Sequence, residues 1–211
     1  MEIWKSMDLK LIAILRGILP HETRDIVQVL LRSGFRAIEI PLNTPDVYQS
    51  IKLAVETSYA FSERPCLIGA GTVLTEQEVS LVHEAGGNLI VSPNVNETVI
   101  RQTKKFGMLS APGVYTASEC LRAVNSGADM LKLFPASNLG PSGLKALRAV
   151  MPQSLELCAV GGVGDNDFKN YMESGASSFG IGSSLYHPGM PANKVAEKAT
   201  KTARAFQSSL A

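Results

Sequence analysis

The chain has 211 residues, is 45% hydrophobic and 18% charged, and carries a net charge of +1. That length suits one large domain and that composition a sizeable core, which excludes an intrinsically disordered chain. With no basic run and no acidic tail, nucleic-acid binding and membrane-surface binding have no electrostatic support.

From the amino end, Met1-Glu2-Ile3-Trp4-Lys5 does not read as a signal peptide. It reads as a short helix or arm on a barrel floor, spanning about residues 1–8. Short β-rich runs then alternate with longer helical segments. The expected strands are 10–15, 37–42, 66–70, 89–92, 108–111, 130–134, 156–160 and 178–181. Most are near-continuous apolar runs, such as Leu11-Ile12-Ala13-Ile14-Leu15, the pattern of parallel strands covered by helices. The expected helices are 22–33, 45–58, 76–85, 96–106, 117–126, 142–150, 165–173 and 192–206. Thr44-Pro45, Thr75-Glu76 and Pro141-Ser142 place capping or turn residues at helix starts. Ser33-Gly34, Ala85-Gly86-Gly87, Ser126-Gly127-Ala128 and Ser174-Gly175-Ala176 supply helix stops.

Eight strand-then-helix units predict a single (β/α)8 TIM barrel of class α/β over residues 1–211. A doubly wound open sheet would want a dinucleotide fingerprint near the first turn, and Arg16-Gly17-Ile18-Leu19 is not one. Cys66, Cys120 and Cys158 are an odd count without CxxC spacing, which argues for reduced thiols in the cytoplasm. No apolar run approaches the roughly 18 residues of a membrane helix.

In such a barrel, chemistry sits at the carboxyl ends of the strands. Lys132 stands inside the apolar run Met130-Leu131-Lys132-Leu133-Phe134. Such a lysine either snorkels out at the strand end or is an amine kept neutral in a dry site so that it can attack a carbonyl. Glu39, inside Ala37-Ile38-Glu39-Ile40-Pro41, is either half of a structural ion pair, with Lys132 one candidate partner, or a proton carrier. Arg16 ends the first strand. An amine, a carboxylate and a guanidinium at one barrel end favour the functional reading.

A second constellation is Gly161-Gly162, followed by Asp165 at a helix start, with Gly182-Ser183 one unit later. Free backbone N–H groups after the last two barrel strands suit a phosphate. His21, His83 and His187 lack metal-ligand spacing and read as surface or capping residues, so no metal is expected. A nucleophilic cysteine lacks a histidine partner at a strand end.

The segments Ile12-Ala13-Ile14-Leu15-Arg16-Gly17, Glu39-Ile40-Pro41-Leu42-Asn43-Thr44-Pro45, Ile68-Gly69-Ala70-Gly71-Thr72-Val73-Leu74, Val91-Ser92-Pro93-Asn94, Leu131-Lys132-Leu133-Phe134-Pro135 and Val160-Gly161-Gly162-Val163 span nearly the whole chain. With Gly182-Ser183, they resemble the 2-keto-3-deoxy-6-phosphogluconate/6-phosphogalactonate aldolase family. The gluconate branch typically has arginine where Asn43 stands and threonine where Val160 stands, so this chain looks more like the galactonate branch.

The resemblance implies a homotrimer of (β/α)8 barrels, working without metal or other cofactor through a lysine Schiff base. Its substrate would be a small 2-keto-3-deoxy-6-phospho sugar acid, with neither nucleic acid nor membrane as partner. Lys132 would form the imine and Glu39 would act as general acid/base. Arg16 would hold the pyruvoyl carboxylate, helped by Thr72 and the Gly71 backbone. Pro93 and Phe134 would wall the pyruvoyl carbons, Val160 would face the C4 hydroxyl, and Gly162, Gly182 and Ser183 would hold the phosphate. An aldolase for the gluconate epimer or for both epimers is the near alternative. A sugar-phosphate epimerase or isomerase barrel, with Glu39 as base and Lys132 electrostatic only, is the alternative of a different class. A non-catalytic phosphosugar sensor is a third, disfavoured because binding alone gains nothing from a buried amine and carboxylate.

Overall fold

The computed structural model describes residues 2–61 and 63–210, so Met1 of the expected arm lies outside the described residues. The strands are β1 (Leu11–Ile14), β2 (Ala37–Pro41), β3 (Leu67–Gly71), β4 (Leu89–Val91), β5 (Leu109–Ala111), β6 (Gly113–Val114), β7 (Met130–Leu133), β8 (Glu156–Val160) and β9 (Ser178–Ile181). The helices are α1 (Glu2–Lys5), α2 (Pro20–Arg32), α3 (Val47–Phe61), α4 (Glu76–Glu84), α5 (Glu97–Lys105), α6 (Ala117–Asn125), α7 (Ala136–Arg148), α8 (Phe168–Glu173) and α9 (Ala192–Ser208).

The strands run in the order β5-β4-β3-β2-β1-β9-β8-β7-β6, with every pairing parallel. β5 and β6 are two pieces of one barrel strand, divided at Pro112, whose ring removes a ladder donor. β5 pairs with β4 and β6 with β7, while the Asp129 N–H donates to the Ser110 carbonyl (3.0 Å) and the Lys132 N–H to the Pro112 carbonyl (2.9 Å). The ring therefore closes, and nine segments form the (β/α)8 barrel. The expected strand 108–111 covers only the first piece; the strand continues past the proline as Gly113–Val114.

Alternation along each strand separates two cores. Outward residues such as Leu11, Ile38, Ile40, Ile68, Leu131 and Leu133 join the helices in the larger cluster. Inward residues form the second cluster, in which Ile12, Ala37, Leu67, Leu89, Leu109 and Met130 pack with Trp4. Trp4 is fully buried and lies among the first residues of the strands, so α1 plugs the amino end of the barrel.

Local chemistry sets the helix limits. Thr75 and Thr116 cap α4 and α6, accepting from the N–H of Glu78 and Glu119, whose carboxylates reach back to the Thr75 and Thr116 amides. Gly86 (φ 87°) and Gly127 (φ 94°) take the left-handed turn that follows these two helices.

Three expected starts differ. Thr44 does not cap α3; its hydroxyl accepts from the Gly17 N–H, and the helix begins at Val47 after Asp46 (φ 49°). The expected start at residue 142 is the second half of α7, which begins at Ala136 and bends at Gly140 (φ 68°), ahead of Pro141. Asp165 is not at a helix start: it accepts from the Thr202 hydroxyl and pairs with Lys201 on α9, and α8 starts at Phe168.

Candidate active site

The carboxyl ends of the strands surround a cavity of about 640 Å³. Its lining includes all ten expected site residues: Arg16, Glu39, Thr72, Pro93, Lys132, Phe134, Val160, Gly162, Gly182 and Ser183. Lys132 gets there because Leu131 and Leu133 turn outward to the helices, which leaves Met130 and Lys132 facing in. Glu39 faces in for the same reason, between outward Ile38 and Ile40.

Both ionisable groups are buried, Lys132 at 7% exposure and Glu39 at 2%. Burial pushes the Lys132 amine below the usual lysine range; Glu39 and Cys158 oppose that, and the Arg16 charge adds to it. Burial pushes Glu39 up to about 7, against the pull of Lys132 and Arg16. The two are not joined: among the described residues no ion pair links them, and Oε2 of Glu39 has no hydrogen-bond partner. The alternative of a structural Glu39–Lys132 ion pair is therefore not what the fold contains. Lys132 Nζ lies instead 4.7 Å from the centroid of the Phe134 ring.

The other residues define the walls. Arg16 is exposed at the end of β1, and its Nη1 donates to Asn43 Oδ1 at 2.6 Å. Thr72 sits at φ 58°, an uncommon setting for a β-branched residue, directly after β3. Val160 ends β8 on the inner face, and Phe134 is 39% exposed over the cavity. Gly161 and Gly162 follow at φ 92° and 71°, and the Gly161 carbonyl accepts from the Ser137 N–H, which ties β8 to the start of α7. The Gly182 carbonyl accepts from Leu185 and Tyr186, forming a turn that begins with Ser183.

Sequence reasoning missed the lip formed by Ser184, Tyr186, His187 and Pro188, which also lines the cavity. His187, expected as a surface or capping residue, is exposed yet faces this opening. The signal was position: these residues directly follow Gly182-Ser183 at a strand end.

Among known proteins, the family described as "Aldolase: KDPG and KHG aldolase" matches residues 4–201. The chain belongs to this family. Membership makes it an aldolase, a carbon–carbon lyase. A protein of Rhizobium meliloti (strain 1021), named "Probable 2-dehydro-3-deoxy-6-phosphogalactonate aldolase", is 52% identical over 200 residues, 95% of this chain and 92% of its own. The 2-dehydro-3-deoxy-6-phosphogalactonate aldolase of Escherichia coli (strain K12) is 41% identical, with 97% of each chain covered. The solved structure described as "Native KDPGal structure" superposes with a TM-score of 0.93 at 40% identity, covering 97% of this chain and 98% of that one.

Proposed function

We propose that this aldolase is of class I and cleaves 2-dehydro-3-deoxy-6-phospho-D-galactonate reversibly to pyruvate and D-glyceraldehyde 3-phosphate. The observation that carries the reading is a buried amine, its pKa lowered by burial, sharing a cavity with a buried carboxyl near 7 to which it is not bonded. The names and high coverage of the two relatives support the galactonate substrate.

In the cleavage direction the neutral Lys132 amine attacks the C2 ketone, and the carbinolamine loses water to give an iminium. The Glu39 carboxylate takes the C4 hydroxyl proton as the C3–C4 bond breaks, and the bonding electrons flow into the iminium, leaving an enamine. The aldehyde departs. Glu39 returns a proton to C3, and water hydrolyses the imine to free pyruvate and the amine. Arg16 offers parallel donors to the pyruvoyl carboxylate, with Thr72 beside it. Pro93 and Phe134 wall the pyruvoyl carbons, Val160 faces C4, and Gly162, Gly182 and Ser183 hold the phosphate.

The reading extends to a homotrimer in the cytoplasm. Exposed Leu74, Tyr115 and Leu121 offer apolar surface for self-association, and Cys120 and Cys158 are buried free thiols. No described helix is long and apolar enough to cross a membrane.

The test is to incubate the protein with pyruvate and borohydride and to map the adduct. A reduced adduct on Lys132 is expected. No adduct, alongside cleavage of the substrate, sinks the class I reading with Lys132 as the imine former. Paired kinetics on the two C4 epimers set the substrate: equal kcat/KM for both would replace the galactonate reading with a dual-epimer one.

A further inference from the structure

The Glu39 carboxyl is buried and unanchored. No hydrogen bond holds Oε2, and no ion pair among the described residues includes the side chain. What surrounds it is the inner face of β3, where Gly69 and Gly71 stand opposite the Cα positions of Glu39 and Pro41. Gly71 lies in a regular strand and is not among the described glycines with positive φ, so its backbone does not require glycine. Space does. A Cβ built on Gly71 would come 2.6 Å from Glu39 Oε1 and nearer still to Cδ and Oε2, well inside ordinary van der Waals contact.

We propose that Gly71 is a positioning residue for Glu39: the notch left by its absent side chain is the seat in which the carboxyl lies. This rests on the reading of Glu39 as proton carrier and says how a side chain with no hydrogen bond on Oε2 is aimed. The seat also holds the carboxyl apart from Lys132. An ion pair would favour the charged form of both groups, leaving the amine protonated and non-nucleophilic. The three atoms nearest a methyl at position 71 all belong to the Glu39 carboxyl, the far end of a flexible side chain with a cavity beside it, so the variant should fold with the carboxyl displaced.

The experiment compares Gly71→Ala, Glu39→Asp and the double variant, in the full chain, with three readouts. Turnover of the 6-phosphogalactonate substrate in Gly71→Ala should fall by about 100-fold, as expected for a misplaced catalytic group. Pyruvate trapping by borohydride on Lys132 should persist. Glu39→Asp withdraws the carboxyl from the seat, so adding Gly71→Ala to it should change turnover by less than about threefold. A protein in which Gly71 is merely structural would lose the same factor in both backgrounds, and that result overturns the proposal. The Glu39 carboxyl titration, followed by 13C NMR, should move down in Gly71→Ala as the group leaves its enclosed seat; an unchanged midpoint also overturns it. Failure of the parent protein to trap pyruvate would remove the Schiff-base reading instead, and the titration would still decide the seat.

Discussion

Glu39 and Lys132 face one barrel interior without joining in an ion pair. That relationship separates a structural salt bridge from a working pair. A paired amine and carboxylate would satisfy each other, whereas here both line the cavity unpaired. Glu39→Gln keeps the shape and removes the proposed proton carrier. Imine formation with pyruvate should persist, and kcat should fall by about 10²–10⁴-fold. Wild-type turnover in this variant would show that another group carries the proton.

Lys132→Ala removes the proposed nucleophile from an otherwise apolar strand. Cleavage and pyruvate trapping should both vanish. The fold should remain, because the outward Leu131 and Leu133 keep the strand packed on its helices. Circular dichroism and thermal melting check the second half; a collapsed barrel would mean that the amine is structural.

The pH dependence follows from the raised Glu39 carboxyl. An acid moved from 4.5 to about 7 keeps its proton in the folded protein where the unfolded chain has lost it. Its contribution to stability is therefore full below 4.5, falls as pH rises to about 7, and is flat above. At about 1.4 kcal/mol per pH unit this is on the order of 3 kcal/mol. Relative to wild type, Glu39→Gln should gain stability across that window, as read from denaturant midpoints at pH 5 and pH 8. Lys132, with its pKa lowered, acts in the opposite sense at higher pH. With Glu39 as the proposed base, turnover needs it ionised, so the acid limb of the kcat/KM profile should have its midpoint near 7 rather than 4.5. That midpoint belongs to the coupled pair.

Trp4 is the test of the barrel floor. It is fully buried on a four-residue helix and packs beneath Ala37, Leu67, Leu89 and Met130. Trp4→Ala should destabilise by about 3–5 kcal/mol, as other large-to-small core changes do. Urea unfolding measures this. A loss below about 1 kcal/mol would mean that α1 is a loose arm and not a plug.

The strands were legible because their signal is local: an apolar run such as Leu11–Ile14 must be covered wherever it lies. Lys132 and Glu39 were legible because a charge inside such a run breaks the pattern. The Pro112 break was not, since it becomes part of a strand only when β4 and β7 lie on either side. Nor was the true role of Asp165, which depends on Lys201 and Thr202 from the last helix. The lip at Tyr186 and His187 has no regular secondary structure and no motif, and becomes part of a site only once the barrel is closed. The absence of a Glu39–Lys132 ion pair likewise needed coordinates, because sequence gives which face a residue takes and not its distance from a partner.

Val160 tests how finely the cavity distinguishes epimers. The residue is 5% exposed at the carboxyl end of β8, against Gly180, where a Cβ would approach Val160 Cγ2 to 2.8 Å. Gly180 thus leaves the room that Val160 fills, and threonine has nearly the same shape. Val160→Thr should keep the packing while placing a hydroxyl at the cavity wall. A hydroxyl there can hydrogen-bond the C4 oxygen in one configuration and not the other. The ratio of kcat/KM for the two epimers should shift toward the gluconate one by about 1–3 kcal/mol, the size of a single contact in a loosely specific site. An unchanged ratio would move the source of discrimination away from β8, toward Arg16 and the Asn43 side chain that holds it.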